Sequence, residues 1–163
     1  MKTLYLIRHA DSEWKNGTSD FDRSLSPKGL QDASNICEEL ESLNFNPTLT
    51  VCSPALRTQT TAEIIAKNCL TVFEPSIYES PVNNLIDVIN NLPNDFKEVA
   101  LIGHNPAISL LANYLTNDTS NSMQPCTVIK IELTIEKWNE ITQGAGTEVF
   151  CISPEMVEQK ILS

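Results

Sequence analysis

The sequence predicts an α/β fold: a three-layer sandwich whose mostly parallel central sheet lies between helices. Three observations predict it. Short apolar, β-rich runs at Thr3–Ile7, Leu49–Cys52 and Val99–Ile102 read as fully buried strands. Each ends at a sharp turn leading to a helix or loop. Strands alternate with helices through Leu115, the pattern of units that build a parallel sheet. With 163 residues, no repeat and no linker, the chain is expected to be a single domain, 1–163.

The elements follow in order. Thr3–Ile7 runs into the charged pair Arg8-His9. Residues 11–25 are polar and read as a loop. Ser26-Pro27 opens a helix, Ser as N-cap and Pro at the first helical position, with Leu30, Ala33, Ile36, Cys37, Leu40 and Leu43 on its buried face. Pro47 ends that segment. After the strand Leu49–Cys52, Ser53-Pro54 repeats the helix-start signal and 55–67 follows as a helix. Residues 71–73 form a short strand, 74–83 a loop, and Leu85, Val88, Ile89 and Leu92 a helix stopped by Pro93. After Val99–Ile102, Asn105-Pro106 should cap a helix running to Leu115. The polar segment 116–125 is expected to be flexible. Residues 127–133 and 148–152 are strands, expected to add an antiparallel edge.

Composition narrows function. The formal net charge is -10, which argues against nucleic acid and anionic membranes, since both demand a basic face. It favours partners with a basic or neutral docking face. The start of the chain lacks a signal-peptide core and no apolar run reaches membrane length. The five cysteines are odd in number and lack paired spacing, so they read as reduced, and the expected location is cytoplasmic.

Only three arginines and two histidines are present. Arg8, His9, Arg57 and His104 all fall just past the ends of predicted strands. In an open α/β sheet, those ends line the ligand crevice. Two guanidiniums and two imidazoles in one crevice suit a tetrahedral phosphoryl group, because guanidinium offers paired N–H donors. Adjacent arginines repel a cation, so no metal site is expected. Arg23 is read either as lining the pocket rim or as paired with Asp20 or Asp22. Ser53 and Asn105 are read chiefly as helix caps, and Trp14 and Trp138 as packing residues.

These residues resemble the histidine phosphatase superfamily. Arg8-His9 follows an N-terminal strand, Ser53 to Arg57 form a Ser-Pro-x-x-Arg turn, and Gly103-His104 follows a later strand. The segment from Asp22 to Gly29 and the turn Gly103-His104-Asn105-Pro106 resemble its small SixA-like phosphohistidine phosphatase branch, with a phosphoglycerate mutase-like fold. The resemblance implies His9 as the nucleophile of a transient phosphohistidine, with Arg8, Arg57 and His104 holding the phosphoryl oxygens. Asn105 and Arg23 would add substrate contacts. Glu79 matches the position of the superfamily's general acid, with Asp11 as runner-up. No cofactor is implied. Ala10 stands where the family usually has glycine, which requires negative φ there. The expected substrate is a phosphohistidine on a signalling or phosphotransfer protein, with inorganic phosphate as product and a monomer as the working form. A small phosphate ester is the alternative substrate. A non-catalytic phosphate-binding module is the alternative of a different class.

Overall fold

A computed structural model describes residues 1–163. Six strands form one sheet: β1 (Lys2–Arg8), β2 (Leu49–Cys52), β3 (Leu70–Phe73), β4 (Glu98–Gly103), β5 (Val128–Leu133) and β6 (Gly146–Ile152). Their order across the sheet is β3-β2-β4-β1-β5-β6. The first four are mutually parallel where they pair, while β5 runs antiparallel to β1 and β6 antiparallel to β5. This is the predicted mixed sheet with its antiparallel edge.

Alternation along each central strand builds two cores. Leu4, Leu6, Val99 and Leu101 face α3 (Val82–Asn90) and α4 (Ala107–Thr116). Tyr5, Ile7, Ala100 and Ile102 face α1 (Pro27–Ser42) and α2 (Leu56–Ile65), with Val157 of α5 (Pro154–Leu162). Both faces of β1 and β4 are covered, so these strands read as continuous apolar runs rather than alternating ones. Trp138 is fully buried, as expected, and its indole N–H donates to the Phe96 carbonyl at 2.9 Å.

The start of α1 follows its signal. The Ser26 hydroxyl accepts from the Gly29 N–H at 2.9 Å, and Pro27 opens the helix. Gly29 is required there, because a Cβ would run into the Asp11 carbonyl oxygen. Leu30 is a correction: it is 46% exposed, since the buried stripe is Gly29, Ala33, Ile36 and Leu40. A second is α5, absent from the expected elements. Its signal was available, because Ser153-Pro154 repeats the Ser-Pro start and the Ser153 hydroxyl accepts from the Met156 N–H. All five cysteines are free thiols. No helix is long and apolar enough to cross a membrane.

Candidate active site

Sheet register assembles the site. Arg8 sits opposite Gly103 on β1 and β4, and Cys52 sits opposite Ile102 on β2 and β4. The next residues, His9, His104 and Ser53, therefore emerge side by side at the carboxyl edge. The His9 N–H donates to the Gly103 carbonyl at 3.2 Å, and the Ser53 N–H to the Ile102 carbonyl at 3.1 Å. The two imidazoles lie with ring centroids 5.3 Å apart. The pocket between them has a volume of about 250 Å³ and is lined by Arg8, His9, Asp11, Ser12, Arg23, Arg57, His104, Asn105 and Pro125.

His9 is buried and oriented. Its Nδ1 lies 2.7 Å from the Ala10 carbonyl oxygen. A carbonyl can only accept, so Nδ1 carries the proton and the lone pair is on Nε2. Burial pushes the His9 pKa down to about 4, and Arg57, Arg8 and Arg23 add to the depression against the Ala10 hydrogen bond. The ring is neutral at ordinary pH. Ala10 itself is fully buried and has no positive φ, so it meets the condition its methyl group imposes. Its N–H donates to Thr61 Oγ1 at 3.0 Å, and that hydroxyl donates to the Arg57 carbonyl at 2.7 Å. Thr61 thus ties the helix bearing Arg57 to the strand end bearing His9.

His104 is held through Nε2, 2.7 Å from the Ser53 hydroxyl, while its buried Nδ1 has no partner in the protein. Burial pushes its pKa down to about 3, helped by His9 and Arg57. Ser53 is a correction. The helix α2 starts at Leu56 with Ala55 at its cap and no side-chain cap bond, and the Ser53 hydroxyl serves the histidine. Asn105 is another. Pro106, not Asn105, precedes α4, and no side chain caps that helix. The Asn105 amide instead donates to the Met123 carbonyl at 2.9 Å and accepts from Ser109 at 2.6 Å.

The cations are fixed by groups far away in sequence. Arg8 donates through Nη1 to the Met123 carbonyl at 2.9 Å, and its pKa is lowered by burial. Segment 116–125 was expected to be flexible, yet its end buries Met123, lines the pocket with Pro125 and supports both Arg8 and Asn105. Arg57, 6% exposed, donates through Nη1 to the Asp20 carbonyl at 2.6 Å and through Nη2 to the Asp20 carboxylate at 3.1 Å. Arg23 satisfies both of its readings: it lines the pocket and pairs with Asp20 at 3.1 Å. Tyr78 donates its hydroxyl to the same carboxylate at 2.7 Å. Desolvation is the largest single influence on Asp20 and raises its pKa, but the bonds from Tyr78, Arg23 and Arg57, with the Arg57 charge, together outweigh it and hold the value down at about 2. Beyond its pairing with Arg23, the bridging role of Asp20 has no local sequence signature, and that of Tyr78 has none. Arg8 Nε, Arg57 Nε and His104 Nδ1 are all buried and unpartnered. The two guanidinium Nε–H groups are donors without acceptors, and so many unsatisfied polar atoms in one place are the pattern of a site that takes a polar ligand.

Glu79 is not brought into the pocket lining. It is exposed at φ +50° on the loop beside Tyr78 and makes no hydrogen bond. Asp11 does line the pocket, with its carboxylate accepting from Ser26 at 2.6 Å. Trp14 is a further correction: it is 69% exposed and stacked on the Arg23 guanidinium, 3.9 Å from the ring centroid.

The profile of the histidine phosphatase superfamily (branch 1) matches residues 4–81. Over that span the chain is similar to the histidine phosphatase superfamily. The matched span holds Arg8, His9, Arg23 and Arg57. His104 lies beyond it and is brought in by the pairing of β4 with β1. An uncharacterised chloroplastic protein of Arabidopsis thaliana is 26% identical over 159 residues, covering 89% of this chain and 72% of the relative. The structure of SixA from Nakamurella multipartitia superposes with a TM-score of 0.82 at 22% identity, over 94% of this chain and 96% of that one. The protein histidine phosphatase SixA complexed with tungstate gives 0.79 at 21% identity, over 95% and 99%. At such identities the likeness is one of fold, here the small form of the phosphoglycerate mutase-like sandwich.

Proposed function

We propose that this protein is a histidine phosphatase that hydrolyses phosphohistidine on a protein, through a covalent phosphoenzyme on His9. The observation that carries the reading is the orientation of His9. Its Nδ1–H is committed to the Ala10 carbonyl, so Nε2 is the nucleophilic nitrogen, neutral and set among Arg8, Arg57 and His104. Attack by Nε2 forms the N–P bond as the bond from phosphorus to the substrate imidazole breaks. The departing imidazole keeps the electron pair and takes a proton. Water then attacks phosphorus, the His9 N–P bond breaks, orthophosphate leaves and His9 regains its lone pair.

The guanidiniums of Arg8 and Arg57 and Nδ1 of His104 stabilise the charge on the equatorial oxygens, which is where such a site gains most of its rate. Arg23 and Asn105 are assigned to the edge of the phosphoryl site. Asp11 is better placed than Glu79 to supply a proton, since it lines the pocket. A phosphoramidate substrate can also leave with its own ring proton, so a strong acid is not demanded. The fold support is the greater likeness to SixA structures, and tungstate in one of them is a tetrahedral oxyanion.

The test is turnover of a phosphohistidine protein and of a panel of phosphate esters by the parent and by His9→Ala. Loss of both turnover and acid-labile ³²P-phosphoenzyme in the variant supports the reading. Equal activity in the variant removes His9 from catalysis. Turnover of sugar or glycerate phosphates far above phosphohistidine replaces the substrate. Phosphate binding without any turnover leaves a binding module.

A further inference from the structure

The pocket has almost no apolar wall. Apart from Pro125, every lining residue is polar or charged. Such a site grips a phosphoryl group and does little to choose what the group is attached to, because discrimination between leaving groups needs shaped apolar contact. The surface just outside is different in kind. Trp14 is 69% exposed, Phe21 38% and Leu56 39%, and none of them belongs to either core. Each is tied to a site residue. Trp14 stacks on Arg23. Phe21 meets Tyr78 edge-on at 5.1 Å, and Tyr78 meets His104 edge-on at 5.7 Å. Leu56 directly precedes Arg57, and its N–H donates to the Phe21 carbonyl at 3.0 Å. Three large apolar side chains are thus left in water beside one polar cleft, two of them joined by that backbone bond, and they form the apolar part of its rim.

The charges around them have the opposite sign to the pocket. Asp22 and Glu79 are exposed carboxylates, and Glu13 has Lys15 as its one ion-pair partner, at 2.8 Å. The site therefore presents a cationic floor inside an acidic, apolar rim. A free phosphate ester offers only an anion, and the rim repels it. A polypeptide can offer the anion and the complement of the rim together.

Given the phosphatase activity proposed for the pocket, we propose that Trp14, Phe21 and Leu56, with the carboxylates of Glu13, Asp22 and Glu79, form a docking rim for a polypeptide that presents its phosphohistidine among basic and aliphatic side chains. The rim supplies the substrate selection that the pocket lacks. It also adds association rate through complementary charge, a contribution that salt screens.

The experiment compares three substrates with the full-length protein: a phosphohistidine peptide flanked by lysine and leucine, the same peptide flanked by glutamate and serine, and phosphoramidate ion. The expected result is a kcat/KM at least tenfold higher for the first peptide than for the second, carried by KM and shrinking between 50 and 500 mM NaCl. Trp14→Ser and Phe21→Ser should remove that preference while phosphoramidate turnover stays within twofold. Asp22→Lys, a surface change that spares packing, should do so in part. Equal kcat/KM for the two peptides overturns the rim. So does a loss in the variants that is the same for peptide and phosphoramidate, or a dimer of the parent that Trp14→Ser dissociates. Failure to cleave either peptide or phosphoramidate, with phosphate esters turned over, instead removes the proposed substrate and the rim with it.

Discussion

A groove between β2–β3 and α3 encloses about 570 Å³, walled by Val51, Val72, Phe73, Val88 and Phe96 among others. The pocket at the carboxyl ends of β1, β2 and β4 encloses about 250 Å³ and is walled by three arginines and two histidines. The largest apolar cavity is the usual first guess for a ligand site. Here the smaller, charged one has the marks of chemistry: imidazoles held neutral, unpartnered buried donors and side chains arriving from five separate segments. The groove has none of these. It is where a four-residue edge strand is left partly uncovered by its neighbouring helix. Convergent, strained electrostatics locate function better than volume does.

The contrast can be broken by substitutions on its two sides. In the pocket, His9→Ala should lower turnover by roughly a thousandfold or more, because the proposed mechanism has no other group to form the phosphoenzyme. A smaller loss, measured by single-turnover phosphate release, would mean that another nucleophile operates. Arg57→Ala should cost on the order of 100- to 1,000-fold in kcat, as removal of a transition-state donor does. Asp20→Asn sharpens the picture because two physical effects oppose each other. Removing a negative charge beside an anion site should tighten orthophosphate, whereas releasing Arg57 and Arg23 from their common anchor should loosen it. We expect loosening, by about 10- to 100-fold, since misplaced donors outweigh one screened charge. Calorimetric titration with orthophosphate reads the sign.

Dependence on pH tests the neutral histidines. With His9 lowered to about 4, kcat/KM should be flat from neutrality down and fall only as pH approaches 4, not at the ordinary histidine value of 6.5. The same shifts act on stability. Both histidines have folded values below 6.5, so the unfolded chain binds more protons between about pH 6.5 and their depressed values. Stability is full above that window and is lost as pH falls through it. Asp20, lowered from 3.8 to about 2, adds a further loss below 3.8. Thermal melts from pH 8 to 4 should show the decline. The smallest effect belongs to the groove. Val72→Ser, on the exposed edge strand, should leave turnover unchanged and stability within about 0.5 kcal/mol. A large loss of activity there would dissolve the contrast.

Much of the fold and part of the site are legible in the sequence. Buried strands appear as uninterrupted apolar runs, and the Ser-Pro starts mark α1 and, unread, α5. Arg8, His9, Arg57 and His104 were legible because strand ends are local features and those residue types are scarce. The errors have a common cause. Ser53 and Asn105 look like helix caps because a cap is the nearest use for a small polar side chain before a helix. Their hydroxyl and amide instead found partners at His104, Met123 and Ser109. Trp14 looks like a packing residue because most tryptophans are, and nothing in its neighbours reveals a guanidinium nine residues away.

The sequence by itself determined the order and type of most elements, the mixed sheet, and the four cationic or imidazole side chains at its carboxyl edge. Those follow from periodicity and from adjacency along the chain, which are local. Only the tertiary structure decided that Asp20 joins Arg23 to Arg57, that Met123 carries Arg8, that His9 turns Nε2 toward the pocket, and that aromatics stand around its mouth. These depend on pairings across up to 115 residues, fixed by sheet register and by the need to satisfy buried donors, and neither leaves a periodic trace in the chain.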